Sequence, residues 1–138
     1  MRVGGEPPRP VIYLDTSVAL AHLLAEDRQP PDDLWTEELW SSRLLEYELW
    51  NRIHARDLAR SHADFARLLI ARVSLLALDP AVLTRALQPF PMPTRTTDAL
   101  HLAAASYLRE RGADVRVATY DERMAGAAEG IGLRLYPV

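Results

Sequence analysis

Three aspartates stand where an apolar run of the sequence ends or an apolar helix begins. Asp15 ends the run VIYL, Asp121 follows VRVATY, and Asp98 opens the alanine-rich stretch DALHLAAA. The chain has no cysteine, so these positions offer carboxylate oxygens, which Mg²⁺ and Mn²⁺ prefer as ligands. Carboxylates brought together without a cation repel one another and raise one another's pKa. If the fold brings these residues together, they therefore indicate a divalent-cation site.

Each aspartate also has a simpler interpretation as a helix cap. An acid at a helix start accepts backbone N–H groups and is favoured by the helix dipole. Hydroxyl residues that could cap the same helices stand close by: Thr16, Ser17, Thr96 and Thr97. We therefore expect that Asp15 and Asp98 are not needed as caps.

The helical segment 42–59 carries two further acids, Glu46 and Glu48, among apolar residues. Helical positions advance by about 100° per residue, and on this wheel both glutamates lie between apolar side chains. Periodicity alone therefore does not choose between them, and one of the two could simply be solvated.

The apolar periodicity predicts strands alternating with helices. The predicted strands are 11–15, a short piece near 38–41, 74–78, 115–120 and 133–138; the predicted helices are 16–27, 42–59, 63–73, 79–87, 97–111 and 121–130. This order predicts an α/β fold with a central, mainly parallel sheet of four to five short strands and helices on both faces. Sites in such sheets form outside the carboxyl ends of the strands, so Asp15 and Asp121 should lie at the same edge.

The composition removes several classes of protein. Without cysteine, the 138-residue chain has no disulfide, zinc finger, thiol catalyst or iron–sulfur cluster. All sixteen basic residues are arginine, which excludes Walker A ATPases, Schiff-base enzymes, Ser–Lys hydrolases and protein kinases. The formal net charge of −3 does not itself indicate nucleic-acid binding, although a basic rim can surround an acidic centre.

The sequence predicts no membrane segment. The longest stretches free of Asp, Glu, Lys and Arg are ten residues, 16–25 and 99–108, too short to span a bilayer. The first ten residues lack the apolar core of a signal peptide and are predicted to form a flexible leader before one domain at 11–138. We expect a cytoplasmic protein.

Four blocks of the sequence resemble a known family. VIYLDTSVALAHL, SSRLLEYELWNRI, TTDALHLAAA and VATYDERMAGAAEGIGL are similar, in order and spacing, to the signature blocks of PIN domains, and specifically of VapC-type toxin ribonucleases from type II toxin–antitoxin systems. The resemblance implies a PIN-like three-layer fold and an Mg²⁺- or Mn²⁺-dependent endoribonuclease that cleaves RNA phosphodiester bonds. Bound metal of this kind acts on a phosphate oxygen as a Lewis acid and lowers the pKa of a water nucleophile.

The resemblance also assigns residues. It implies a catalytic acidic quartet of Asp15, Glu48, Asp98 and Asp121, with metal held by the three aspartates. Glu48 is chosen over Glu46 because Glu48-Leu49-Trp50-Asn51 fits the family's helix block, an acid followed by an apolar residue and, three positions on, an asparagine. The expected supporting residues are Thr16, Ser17, Asn51 and Thr119.

Other polar and aromatic residues are assigned by chemistry. His101 shares a side of its helix with Asp98, and a structural role is expected because Mg²⁺ sites favour oxygen. The tryptophans 35, 40 and 50 are expected in the core or at an interface. Arg43, Arg95 and Arg123 lie close in sequence to the quartet blocks and are the predicted RNA contacts.

The resemblance implies a cognate VapB-type antitoxin, lying over helices 16–26 and 42–59, an RNA substrate and a homodimer, with no membrane partner. Two alternatives remain: a PIN-like RNA-processing nuclease without antitoxin, and a non-catalytic interaction module. Two other classes with a strand-end aspartate do not fit. A response-regulator receiver needs a lysine, and a dehalogenase-type phosphatase needs Asp where Ser17 stands.

Overall fold

Strand β1 (Pro10–Leu14) is the middle strand of a five-stranded sheet in this computed structural model, which describes residues 7–138. The sheet order is β3-β2-β1-β4-β5 and every pairing is parallel. The other strands are β2 (Leu39–Ser42), β3 (Ser74–Leu76), β4 (Asp114–Ala118) and β5 (Arg134–Leu135). The predicted fold class is confirmed.

Six α-helices connect and cover the strands within the described residues. They are α1 (Thr16–Leu23), α2 (Leu44–Ala55), α3 (Ala59–Ala71), α4 (Pro80–Ala86), α5 (Thr96–Glu110) and α6 (Glu122–Gly130), with a 3-10 helix at Asp32–Thr36. Across residues 7–138, none of them is long and apolar enough to cross a membrane.

The two faces of β1 carry two separate cores. Ile12 and Leu14 pack with side chains of α1, α2 and α3, whereas Val11 and Tyr13 pack with α4, α5 and α6. All four are buried, because a central parallel strand is covered on both faces and successive side chains alternate between them. The result is three layers, with the carboxyl ends of β1 and β4 side by side at one edge of the sheet.

The structure corrects the predicted helix 42–59. Residues 39–42 form β2, so α2 begins two residues later, and it ends at Ala55. Asp57 then adopts a left-handed conformation with φ of 53°, which Asp tolerates better than most residues, and α3 starts at Ala59 rather than 63. Most of the predicted leader 1–10 lies outside the described residues, and Pro10 already belongs to β1.

Candidate active site

Asp15 stands at the junction of β1 and α1, buried to 6% exposure. Its Oδ2 accepts hydrogen bonds from Ser17 Oγ at 2.6 Å and Thr119 Oγ1 at 2.8 Å. These hydroxyls are themselves acceptors: Ser17 Oγ accepts a hydrogen bond from the Tyr120 N–H at 3.0 Å, and Thr119 Oγ1 accepts one from the Asp121 N–H at 3.0 Å. Ser17 and Thr119, both singled out from the sequence, thus join the ends of β1 and β4 around the Asp15 carboxylate.

Glu48 reaches the same region from α2. Its Oε1 accepts hydrogen bonds from Thr16 Oγ1 and from His101 Nε2, each at 2.7 Å. Glu46 turns elsewhere and pairs with Arg43 Nη1 at 2.6 Å. The structure therefore brings Glu48, and not Glu46, to the residues around Asp15.

His101 links the acids through the core. The buried ring lies with Nε2 2.7 Å from Glu48 Oε1 and 4.0 Å from Asp15 Oδ1, and with Nδ1 2.7 Å from the Tyr13 hydroxyl. A carboxylate can only accept, so Nε2 carries a proton. Burial raises the pKa of the Tyr13 hydroxyl, which therefore stays protonated and can donate to Nδ1. The structural role expected for His101 is specific: it orients Glu48.

Asp98 and Asp121 are joined by one arginine. Arg95 donates from Nε to Asp98 Oδ2 at 3.3 Å and from Nη2 to Asp121 Oδ2 at 2.8 Å. The guanidinium thus bridges a carboxylate in the first turn of α5 and one at the start of α6. Arg95, expected to contact RNA, serves in this state as the counter-ion of both acids.

The capping interpretation holds for one of the three aspartates. Asp121 Oδ1 accepts the N–H groups of Arg123 and Met124 and caps α6. Asp15 occupies the N-cap position of α1 without a side-chain cap hydrogen bond, and Asp98 lies inside α5. The expected hydroxyl caps are wrong, because the N-cap positions of α1 and α5 are Asp15 and Arg95, the threonines and Ser17 lie inside the helices, and neither helix has a side-chain cap hydrogen bond.

The acids influence one another's ionisation. Burial, together with the charges of Asp121 and Asp15, raises the pKa of Asp98 although Arg95 opposes the change. Burial also disfavours the charged form of Glu48, but the hydrogen bond and charge of His101, the Thr16 hydroxyl and Arg52 outweigh it and lower the pKa of Glu48. The charges of the other two aspartates therefore disfavour ionisation of Asp98, whereas the partners of Glu48 favour its ionised form. We refer to Asp15, Glu48, Asp98 and Asp121 as the acidic centre.

Several arginines surround the acidic centre. Arg28 and Arg52 line a cavity of about 510 Å³ that reaches Asp121, and Arg28, Arg95 and Arg123 line a second of about 540 Å³. Sequence reasoning missed Arg28, which lies outside the four blocks, and Arg52, which shares its block with Glu48 and with the predicted contact Arg43. The other expected contact, Arg43, is paired with Glu46.

Asn51 lies on α2, three residues after Glu48, and is exposed. No hydrogen bond of its side chain is found among residues 7–138. The structure therefore gives it no contact with the acidic centre.

The donor set of the acidic centre is suited to a hard divalent cation. Within residues 7–138, no three side chains of Asp, Glu or His are arranged to hold a metal ion as they stand. Yet Asp98 and Asp121 already share one cationic group, the Arg95 guanidinium, and all the charged donors are oxygens. A metal ion would thus compete with Arg95 for these two carboxylates.

The family follows from sequence comparison. The PIN domain model matches residues 12–130, nearly all of the sheet and helices described above. The chain belongs to the PIN domain family.

Within that family the chain is 36% identical over 129 residues to Ribonuclease VapC46 of Mycobacterium tuberculosis, covering 88% of this chain and 93% of that protein. The resemblance to VapC-type proteins that the four sequence blocks indicated is confirmed. A toxin–antitoxin complex from Klebsiella pneumoniae contains a chain of the same fold, with a TM-score of 0.60 and 14% identity over 92% of this chain and 98% of that one.

Proposed function

We propose that this protein is a metal-dependent endoribonuclease, the toxin component of a VapBC-type module acting in the cytoplasm. The observation that carries the proposal is the convergence of four acids: Asp15 and Asp121 at the ends of β1 and β4, Asp98 in the first turn of α5, and Glu48 from α2. Membership of the PIN family and the similarity to a mycobacterial ribonuclease support it.

In this proposal Asp15, Asp98 and Asp121 hold Mg²⁺ or Mn²⁺. The bound ion supplies Lewis-acid polarisation of a phosphate oxygen and a water of lowered pKa. Ser17 and Thr119 fix the Asp15 carboxylate, and the Asp121 backbone is fixed through Thr119. These hydrogen bonds hold two of the three acids in place before any ligand arrives.

Glu48 has a separate part in the proposed reaction. Thr16 and His101 both donate to Oε1, and no partner of Oε2 is found within residues 7–138. A carboxylate oriented by one oxygen and kept ionised can accept a proton from water at the other. Arg95 and Arg123, on the rim, would hold phosphates of the RNA strand.

The test is cleavage of single-stranded RNA by purified wild type and Asp98→Asn, each with Mg²⁺, with Mn²⁺ and in excess EDTA. Cleavage should require metal. Loss of a ligand should reduce it by more than the roughly 10- to 100-fold that loss of an outer-shell partner costs, and expression should arrest growth only for wild type. Cleavage that persists in EDTA would refute the metal mechanism.

An antitoxin partner is part of the proposal. The motif resemblance implies one, and the Klebsiella structure of the same fold is a toxin–antitoxin complex. An apolar groove of about 530 Å³ runs between α1, the 3-10 helix and α3, with Phe65 and Leu68 66% and 67% exposed on its wall. We assign an apolar antitoxin segment to this groove; the expected site over α1 and α2 is thereby extended to α3.

The tryptophans contribute less to an interface than expected. Trp35, Trp40 and Trp50 are partly buried and pack against the two cores. Of the three, Trp35 lines the groove assigned to the antitoxin, whose most exposed large apolar side chains are Phe65 and Leu68. Homodimer formation stays a prediction, and a chain that cleaves RNA but binds no antitoxin would be the RNA-processing nuclease of the first alternative.

A further inference from the structure

Beside the acidic centre, an arginine is stacked on a tyrosine. The Arg28 guanidinium carbon lies 4.6 Å from the centroid of the Tyr120 ring. Tyr120 immediately precedes Asp121 and its N–H is fixed by Ser17 Oγ. Arg28, Tyr120 and Asp121 line both cavities of the rim, so the stacked pair lies where the two cavities meet.

Tyr120 is held against the core, whereas Arg28 is exposed to solvent. Tyr120 packs against the core of α1, α2 and α3, and Arg28 lies over its ring. Arg28 is exposed and, as far as residues 7–138 are concerned, forms no ion pair within 4.0 Å, although Glu26 and Asp27 precede it. Its guanidinium carbon lies over the Tyr120 ring, and the side chain is otherwise exposed to solvent.

We propose that the Arg28–Tyr120 stack is a subsite for a base of single-stranded RNA next to the scissile phosphate, an assignment that rests on the proposed ribonuclease function. Unpaired bases of RNA stack on guanidinium planes as well as on aromatic rings, and the face of a tyrosine ring attracts a cation held over it. Arg52 and Arg123, in the flanking cavities, are left for phosphates on either side.

A base is favoured over a phosphate because Arg28 lies over an aromatic ring, an arrangement to which a further flat ring can be added. A phosphate is bound by the N–H edge of a guanidinium and does not need the ring beneath it, and a lysine ammonium also binds phosphate, as a point charge. Stacking requires the plane, which Arg has and Lys lacks. The difference between Arg28→Lys and Arg28→Ala therefore separates the two possibilities.

The chain offers a matched control. Arg111 lies over the ring of Tyr107, 5.0 Å from its centroid, at the opposite end of α5 from Asp98. Arg111→Ala removes the same charge and an arginine–tyrosine contact, which here also includes a hydrogen bond from Arg111 Nη2 to the Tyr107 hydroxyl, at a distance of several helical turns from the acidic centre.

The experiment measures binding of a fluorescent single-stranded RNA and of a duplex of equal length, in EDTA. For the single strand, Arg28→Ala and Arg28→Lys should both bind about fivefold to a hundredfold more weakly than wild type, and Arg111→Ala should bind like wild type. Duplex binding, in which bases are not exposed, should change much less.

Three results would overturn the proposal. They are single-strand binding retained by Arg28→Lys, an equal loss for single strand and duplex, or an Arg28→Ala variant that binds like Arg111→Ala. The proposed function is tested separately by cleavage of RNA in the presence of metal. If wild type cleaves RNA and Arg28→Ala binds single-stranded RNA as well as wild type, the subsite is refuted and the ribonuclease function is not. If wild type binds single-stranded RNA through Arg28 but does not cleave it with any metal, the ribonuclease function is refuted and the subsite is not.

Discussion

Glu48 and Glu46 form a natural pair of variants, because they lie two residues apart on α2 and differ in their partners. Glu48 is oriented by Thr16 and His101, whereas Glu46 pairs with Arg43 at the surface. Glu48→Gln should reduce kcat for RNA cleavage by about 100-fold or more, because the amide cannot accept a proton. Glu46→Gln should retain nearly full kcat.

The measurement is kcat and KM of both variants on one RNA, with melting temperatures to show that each is folded. Equal losses in the two variants would contradict the assignment of Glu48. A loss confined to Glu46→Gln would transfer the role to that residue.

Asp98 gives a prediction that combines stability, pH and metal. Its pKa is raised in the folded protein, first by burial and then by Asp121 and Asp15. Such a group contributes stability that is present below its unfolded pKa and lost as pH rises through its folded pKa. At neutral pH the ionised carboxylate is therefore unfavourable, and Asp98→Asn should melt on the order of a few degrees higher in EDTA.

The difference should disappear in acid, where wild-type Asp98 is protonated, and the stabilisation by added Mg²⁺ or Mn²⁺ should shrink in the variant. Thermal melting of both proteins across pH, with and without metal, tests this. If Asp98→Asn melts at the wild-type temperature in EDTA and is stabilised by metal as much as wild type, Asp98 does not belong to the metal site.

The sequence predicted which acids belong to the centre better than it predicted their partners. Strand ends located Asp15 and Asp121, and the motif resemblance located Glu48 and Asp98, where helical periodicity could not choose. The bridge through Arg95 was not predictable, since it depends on the direction of a long side chain between two helix starts. The hydroxyl caps failed because α1 begins at Thr16, with Asp15 in the N-cap position, so that Thr16 and Ser17 lie inside the first turn.

At the scale of elements, Asp121 serves two purposes that can be separated. Oδ1 caps α6 while Oδ2 pairs with Arg95. Asn caps helices about as well as Asp, so Asp121→Ala should be less stable than Asp121→Asn by about 1 kcal/mol, while both lose cleavage. Denaturant unfolding of the two variants measures the difference; equal stabilities would mean that the cap contributes nothing to α6.

Helix ends were predicted correctly where the sequence carries a residue, such as glycine, that terminates a helix. Helix α5 ends just before Gly112, whose φ of 98° suits glycine, close to the predicted end. The break between α2 and α3 was predicted a few residues too late, at 60–62, because Asp57, not glycine, carries the left-handed turn. The start of α2 was placed too early because the short run Leu39–Ser42 reads equally as helix or strand.

At the scale of the whole molecule, the groove beside α3 predicts where a partner binds. Phe65→Ser with Leu68→Ser should weaken binding of the co-expressed antitoxin by at least about tenfold. Melting should hardly change, because both side chains are mostly exposed. Leu87→Ser, 88% exposed beside α4, is the control on the other side of the sheet, and calorimetric titration gives the affinities. Equal affinities for all three proteins would place the antitoxin elsewhere.

The position of β1 in the middle of the sheet also governs when the protein can act during its synthesis. The hydrogen bond between Thr119 and Asp15 joins residues 104 positions apart, and β1 cannot pair with β4 until the ribosome has released residues 114–118. Asp121 emerges later still. Until then the first three acids lack Thr119 and the second partner of the Arg95 bridge, so the proposed nuclease is completed only after residue 121 has left the ribosome.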